Sequence, residues 1–88
     1  MKIELHPRFK RSYKNRITNN PLLVLKTKER LKLFQKDPNS PVLKDHQLKG
    51  KKRDYRAFSV TGDIRIVYIS ISKGYIVLLD IGTHNQVY

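Results

Sequence analysis

The chain has 88 residues, enough for one small domain that buries only about 60% of the surface exposed by its unfolded form. Its 19 Lys and Arg against 7 Asp and Glu give a formal net charge of +12. With no cysteine in the sequence, a disulfide framework, a thiolate metal site and a thiol nucleophile are all excluded.

Self-repulsion at this charge disfavours a small fold. Binding a polyanion offsets it, because lysines and arginines that neutralise phosphates release condensed counterions. RNA is the foremost expectation; an anionic membrane surface ranks lower, since there is no long basic helix with a clean apolar face. The opening Met1-Lys2-Ile3-Glu4-Leu5-His6-Pro7 lacks the apolar run of a signal peptide. No stretch reaches the roughly 18 apolar residues of a membrane span. These features predict a soluble, cytoplasmic protein with one domain over residues 1–88.

Lys2-Ile3-Glu4-Leu5 alternates as a short strand does. Pro7 suits the first position of a helix, where its missing N–H is not needed. Phe9, Tyr13 and Ile17 follow at helical spacing, with Arg8, Lys10, Arg11, Lys14 and Arg16 around them. Asn19-Asn20-Pro21 ends this helix and starts another, with Asn20 as N-cap. The second helix is predicted to run to about Lys36, with Leu23, Val24, Thr27, Leu31 and Phe34 on its buried side. Asp37-Pro38-Asn39-Ser40-Pro41 stops it. Two helices so joined form an αα-hairpin.

Residues 42–52 read as an irregular basic connection. Three strands are predicted after it, at about 54–60, 64–71 and 75–81, separated by Thr61-Gly62-Asp63 and Ser72-Lys73-Gly74. The middle run, from Ile64 to Ile71, is apolar on both faces except at Arg65, as a central strand covered on both sides is. The predicted architecture is α+β: an N-terminal strand, an αα-hairpin and an antiparallel meander, with the helices on one face of a four-stranded sheet.

Of three histidines, His6 precedes a proline at a strand–helix junction and suits a cap. His46 adjoins the basic connection, and His84 follows directly on a buried strand, a rigid place to fix a reactive side chain. No His, Asp or Glu spacing characteristic of zinc or a two-metal nuclease is present, and no glycine-rich phosphate loop or cofactor motif. Phosphodiester cleavage by such a chain points to attack by the RNA's own 2′-hydroxyl. That chemistry needs a base, an acid and a cation.

Arg65 is the candidate cation. The structural alternatives are a snorkelling arginine or one paired with Asp63 or Asp80, and composition does not choose between them. Lys49, Lys51, Lys52, Arg53 and Arg56, interleaved with Tyr55 and Phe58, suit phosphate contacts and base stacking. An edge strand blunted by solvated lysines has the same composition.

Taken together, the order of elements, Leu43-Lys44-Asp45-His46-Gln47-Leu48-Lys49-Gly50, Tyr55-Arg56, Asp63-Ile64-Arg65-Ile66-Val67-Tyr68 and Gly82-Thr83-His84-Asn85-Gln86-Val87-Tyr88 resemble the RelE/ParE toxins. The resemblance is strongest to the YafQ-type branch of RelE-like messenger-RNA interferases, in residues and spacing over 43–88 and in pattern alone before that. It implies a toxin of a type II toxin–antitoxin pair, acting as an endoribonuclease on messenger RNA in the ribosomal A site.

By the same resemblance, His84 corresponds to the general acid, Arg65 to the phosphate-stabilising arginine, and His46 and Asp63 to site residues able to take part in proton transfer. Tyr88 corresponds to a terminal aromatic that stacks on or orients a nucleotide. Ser59 stands where that branch has a further histidine and Ile64 where it has an aromatic, which leaves the proton acceptor open. The implied partners are a cognate antitoxin, messenger RNA and ribosomal RNA, with the free toxin a monomer and no cofactor. A ParE-like gyrase poison and a noncatalytic RNA-binding or ribosome-binding module are the competing readings. The set His46, His84 and Tyr88 argues against the gyrase poison, which has no use for acid–base groups.

Overall fold

The computed structural model describes residues 1–88. β1 (Lys2–Leu5) leads into α1 (Pro7–Arg16), where His6 caps the helix by accepting a 3.0 Å hydrogen bond from the Arg8 amide at Nδ1. α2 (Pro21–Lys36) begins at Asn20, whose side-chain oxygen accepts from the amides of Leu22 and Leu23. Both helices start on the predicted Pro-containing caps because these supply acceptors for otherwise orphaned N–H groups.

The rest is β2 (His46–Gln47), β3 (Arg56–Ser59), β4 (Ile64–Ser72), β5 (Tyr75–Thr83) and the one-turn α3 (His84–Val87). The strands form one sheet in the order β1-β5-β4-β3-β2. β1 pairs parallel to β5, and the other pairs are antiparallel. The class matches the sequence expectation, but the sheet has five strands rather than four. The extra strand lies in the supposed irregular connection, where His46 and Gln47 pair with Ala57 and Arg56. α3 was likewise not anticipated. The predicted central strand is β4, at the middle of the sheet.

The two faces of the sheet carry separate apolar clusters. On the helix side, Phe9 of α1, Ile17 at its C-cap and Phe34 of α2 pack with Phe58, Ile66, Tyr68, Leu78 and Ile81. The Phe34 and Phe58 rings stack 4.5 Å apart at 13°. On the other face, Leu48, Ala57 and Val67 form a smaller cluster with Val87 of α3. Alternation along β3 and β4 sends Phe58 and Ile66 one way and Ala57, Val67 and Arg65 the other. Arg65 therefore stands on the α3 face.

β1 ends at Leu5, opposite Leu78, so β5 continues beyond its neighbour. α1 covers that free edge: Arg16 donates to the Ile81 carbonyl (3.0 Å) and pairs with buried Asp80 (3.3 Å), which Arg8 also approaches at 3.3 Å. Asp80 is thus taken up by α1 and is unavailable to Arg65.

No helix is long and apolar enough to cross a membrane.

Candidate active site

α3 presents the reactive residues. The Thr83 amide at its start donates to Gln86 Oε1 at 2.8 Å, a local closure that starts the turn directly at the end of β5. Val87 plugs the turn into the small apolar cluster. At the other end, Lys52 Nζ donates to the main-chain oxygens of Val87 (3.2 Å) and Tyr88 (2.9 Å). His84 and Tyr88, one turn apart, then meet with ring centroids 4.4 Å apart at 76°.

His46 arrives from β2. Its Nδ1 lies 3.0 Å from the Lys44 carbonyl and its Nε2 lies 3.3 Å from the Tyr88 hydroxyl. A carbonyl only accepts, so the neutral tautomer assigned by this network carries its proton on Nδ1 and turns the Nε2 lone pair toward the phenol. Lys44 adopts the left-handed conformation (φ +50°) that aims its carbonyl in this way.

Arg65, half-buried on β4, donates from Nη1 to Ser59 Oγ at 3.2 Å and forms no ion pair. Its Nε is buried without a partner. The guanidinium lies beside the Tyr88 phenol. Burial raises the pKa of that phenol, while the charge of Arg65 acts the other way. The phenol therefore remains protonated at neutral pH and able to donate. One tyrosine thus connects Arg65, His46 and His84, beside a hollow lined by no Asp or Glu.

An open hollow of about 290 Å³ beside this group is lined by His46, Gln47, Leu48, Lys49, Lys52 and Tyr88. Of the sequence-predicted residues, His46, His84, Arg65 and Tyr88 come together, with Lys49 and Lys52 at the rim. Lys51 and Arg53 are exposed on the short turn beyond the rim.

Arg56 does not join them. It shares a face with Phe58, so its side chain lies on the helix side, where Nε bonds Asp45 at 2.7 Å. Asp45 also accepts from the Tyr68 hydroxyl. Phe58 is fully buried and Tyr55 half-buried against the smaller cluster, so neither offers a free stacking face as its place in the basic segment suggested. Asp63 is exposed in the β3–β4 turn, and its carboxylate makes no ion pair with Arg65 or either histidine.

Sequence reasoning noted Ser59 only as a departure, yet its hydroxyl accepts from Arg65 across the ladder. The alternation of β3 against β4 was the available signal. No group of three or more His, Asp or Glu side chains is arranged to hold a metal ion.

The family model described as the bacterial toxin of type II toxin–antitoxin systems, YafQ, matches residues 1–88. Among solved structures, YafQ from E. coli superposes with a TM-score of 0.82 at 22% identity, covering 99% of this chain and 97% of that one. A copper-bound mutant toxin from Helicobacter pylori gives 0.77 at 26% identity, covering 100% and 99%. YafQ in the E. coli DinJ–YafQ toxin–antitoxin complex gives 0.81 at 24%, covering 99% and 96%. No curated protein matches the sequence. A RelE-like fold, a family match over the whole chain and a basic surface on the α3 face converge on one assignment: the chain belongs to the YafQ family of type II toxin–antitoxin toxins.

Proposed function

We propose that this toxin is an endoribonuclease that cuts messenger RNA held in the ribosomal A site, with ribosomal RNA supplying further phosphates for its basic surface. The observation that carries the reading is the meeting of Arg65, His46 and His84 around Tyr88, a cation and two imidazoles each beside one phenol.

In the proposed reaction the 2′-hydroxyl displaces the Tyr88 phenol from His46 Nε2 and loses its proton to that nitrogen as its oxygen attacks the adjacent phosphorus. The O2′–P bond forms as the P–O5′ bond breaks. His84 gives a proton to the departing 5′-oxygen, leaving a 2′,3′-cyclic phosphate and a free 5′-hydroxyl. Arg65 stabilises the charge that builds on the phosphoryl oxygens, a task suited to a guanidinium with no carboxylate to neutralise it. Tyr88 holds His46 in place through its hydroxyl until RNA binds, and orients His84 through its ring. Asp63 is the other family-matched proton acceptor. It is a weaker choice because it stands in the turn with no bond to either histidine.

The E. coli DinJ–YafQ complexes support a cognate antitoxin for this chain as well. Carboxylates on such a partner complement a net charge of +12.

Primer extension on messages from a translating extract tests the reading. The wild-type chain is expected to give discrete cuts and His84→Ala none, with ribosome binding retained. Equal cutting by the two removes His84 from the chemistry.

A further inference from the structure

A second hollow, of about 340 Å³, opens at the end of the β3–β4 hairpin against α2 and the segment after it. Lys26, Arg30, Lys44 and Arg65 line it together with Ser59 and Gly62, and no acidic residue does. Glu29 meets Lys26 at 3.4 Å on the outer surface of α2, where both side chains are exposed and the pair is weak.

Ser59 is the pivot. Arg30 Nη1 donates to its carbonyl (3.4 Å) and to that of Val42 (3.0 Å), while Arg65 Nη1 donates to its hydroxyl. Two guanidiniums thus converge on one buried residue with no carboxylate to compensate, and the Nε of each is buried without a partner. Like charges so placed repel in a region of reduced dielectric, and an anion between them relieves that repulsion and supplies missing acceptors. Gly62, with no atom within 4 Å of where a Cβ would be, leaves the hairpin tip open to such an approach.

We propose that this hollow is a second phosphate subsite, holding the RNA phosphate next to the one being cut. The inference rests on the RNA-cleaving reading above. Arg65 is common to both places: it stands beside Tyr88 on one side and lines the second hollow on the other. A strand whose scissile phosphate sits at Arg65 therefore passes its neighbouring phosphate toward Arg30, Lys26 and Lys44. The subsite fixes the strand's direction across the catalytic group and disfavours a lone dinucleotide as a ligand.

The test uses an uncleavable 2′-O-methyl RNA trinucleotide, which has two phosphodiesters, and two versions with one or the other linkage changed to an uncharged methylphosphonate. For the wild-type chain each replacement is expected to weaken binding by about tenfold, the scale of one charge-assisted contact. In the double variant Lys26→Gln, Lys44→Asn, which keeps Arg30 and Arg65, one of these two penalties should shrink severalfold and the other stay at full size. Asn suits position 44 because it tolerates the left-handed backbone there.

Survival of both penalties at full size in the double variant overturns the subsite. So does a variant that keeps both while losing affinity for a hexaglutamate peptide, because the hollow then receives a carboxylate-bearing protein segment. Trinucleotide binding needs no cleavage. Absence of cut messages in the extract therefore overturns the nuclease reading alone, and persistence of both penalties overturns the subsite alone.

Discussion

Tyr88 and His46 stand 42 positions apart in the chain, yet the phenol oxygen of one lies 3.3 Å from Nε2 of the other. The contact exists because α3 packs on one face of the sheet through Val87, while β2 extends the sheet beside β3 and sets His46 opposite Ala57, whose side chain is on that face. Tyr88→Phe removes the hydroxyl and keeps the ring beside His84. Cleavage should fall by roughly fivefold, the worth of one neutral hydrogen bond, whereas Tyr88→Ala should lose far more. Single-turnover rates on ribosome-bound message measure the difference.

Arg65 has no anionic partner to orphan. Arg65→Gln should therefore change stability by less than about 1 kcal/mol. Cleavage should fall by a factor on the order of 10²–10³, as removal of a preorganised charge from a transition state does. Denaturant unfolding alongside the cleavage assay separates these effects. A large stability loss with intact cleavage would identify Arg65 as a structural residue.

Asp80 is the opposite case. Its buried carboxylate faces Arg16 and Arg8, and Arg16 also closes the free edge of β5 at the Ile81 carbonyl. Asp80→Ala should destabilise the fold by about 2–3 kcal/mol, less than a fully buried pair because Arg8 is largely solvated. The shift in urea midpoint measures it.

Gly82 lies opposite Arg65 on the ladder and next to α3. A Cβ there would lie 2.6 Å from Gln86 Oε1 and 2.7 Å from Arg16 Nη1. Both are ends of flexible side chains and can give way, but Gln86 then leaves the Thr83 amide that starts α3, and Arg16 leaves Asp80 and the Ile81 carbonyl. Gly82→Ala should reduce stability by about 1–3 kcal/mol while lowering cleavage through a misplaced His84. Faster amide exchange at 84–88 is the accompanying signature.

Tyr68 gives the fold an alkaline limit. Burial, and then the hydrogen bond to Asp45, raise its pKa above the ordinary 10.0. The folded chain thus holds this proton more tightly than the unfolded chain. The resulting stability is fully present below about pH 10 and is lost as pH rises from there toward the folded-state value. Wild-type stability should decline above pH 10, and Tyr68→Phe should flatten that part of the decline. Urea midpoints between pH 8 and 11 check the sign.

Much of this was legible in the sequence wherever local chemistry dominates. Asn20-Pro21 marks a helix start because a cap and a locked φ act within one turn, and the run from Ile64 to Ile71 declares its central place by being apolar on both faces. β2 was not legible. Two residues carry no period, and only pairing with β3 makes them a strand. α3 left a faint signal in Thr83-His84-Asn85-Gln86, the spacing of a capping box, which one turn of helix is too short to reinforce with a stripe. Arg56 looked like part of a basic patch until β3 alternation put it with Phe58, facing an aspartate eleven residues earlier. Lys52 likewise reads as a phosphate ligand in sequence, while in the fold it braces the end of α3.

The central claim is that the group around Tyr88 cuts RNA by using the substrate's own 2′-hydroxyl. A message with a single 2′-deoxynucleotide immediately 5′ of the mapped cut, translated in extract with the wild-type toxin, tests this most directly. Cutting at that linkage should disappear while neighbouring cuts persist, and the unsubstituted message should yield a 2′,3′-cyclic phosphate end. Undiminished cutting at the deoxy position would contradict the account.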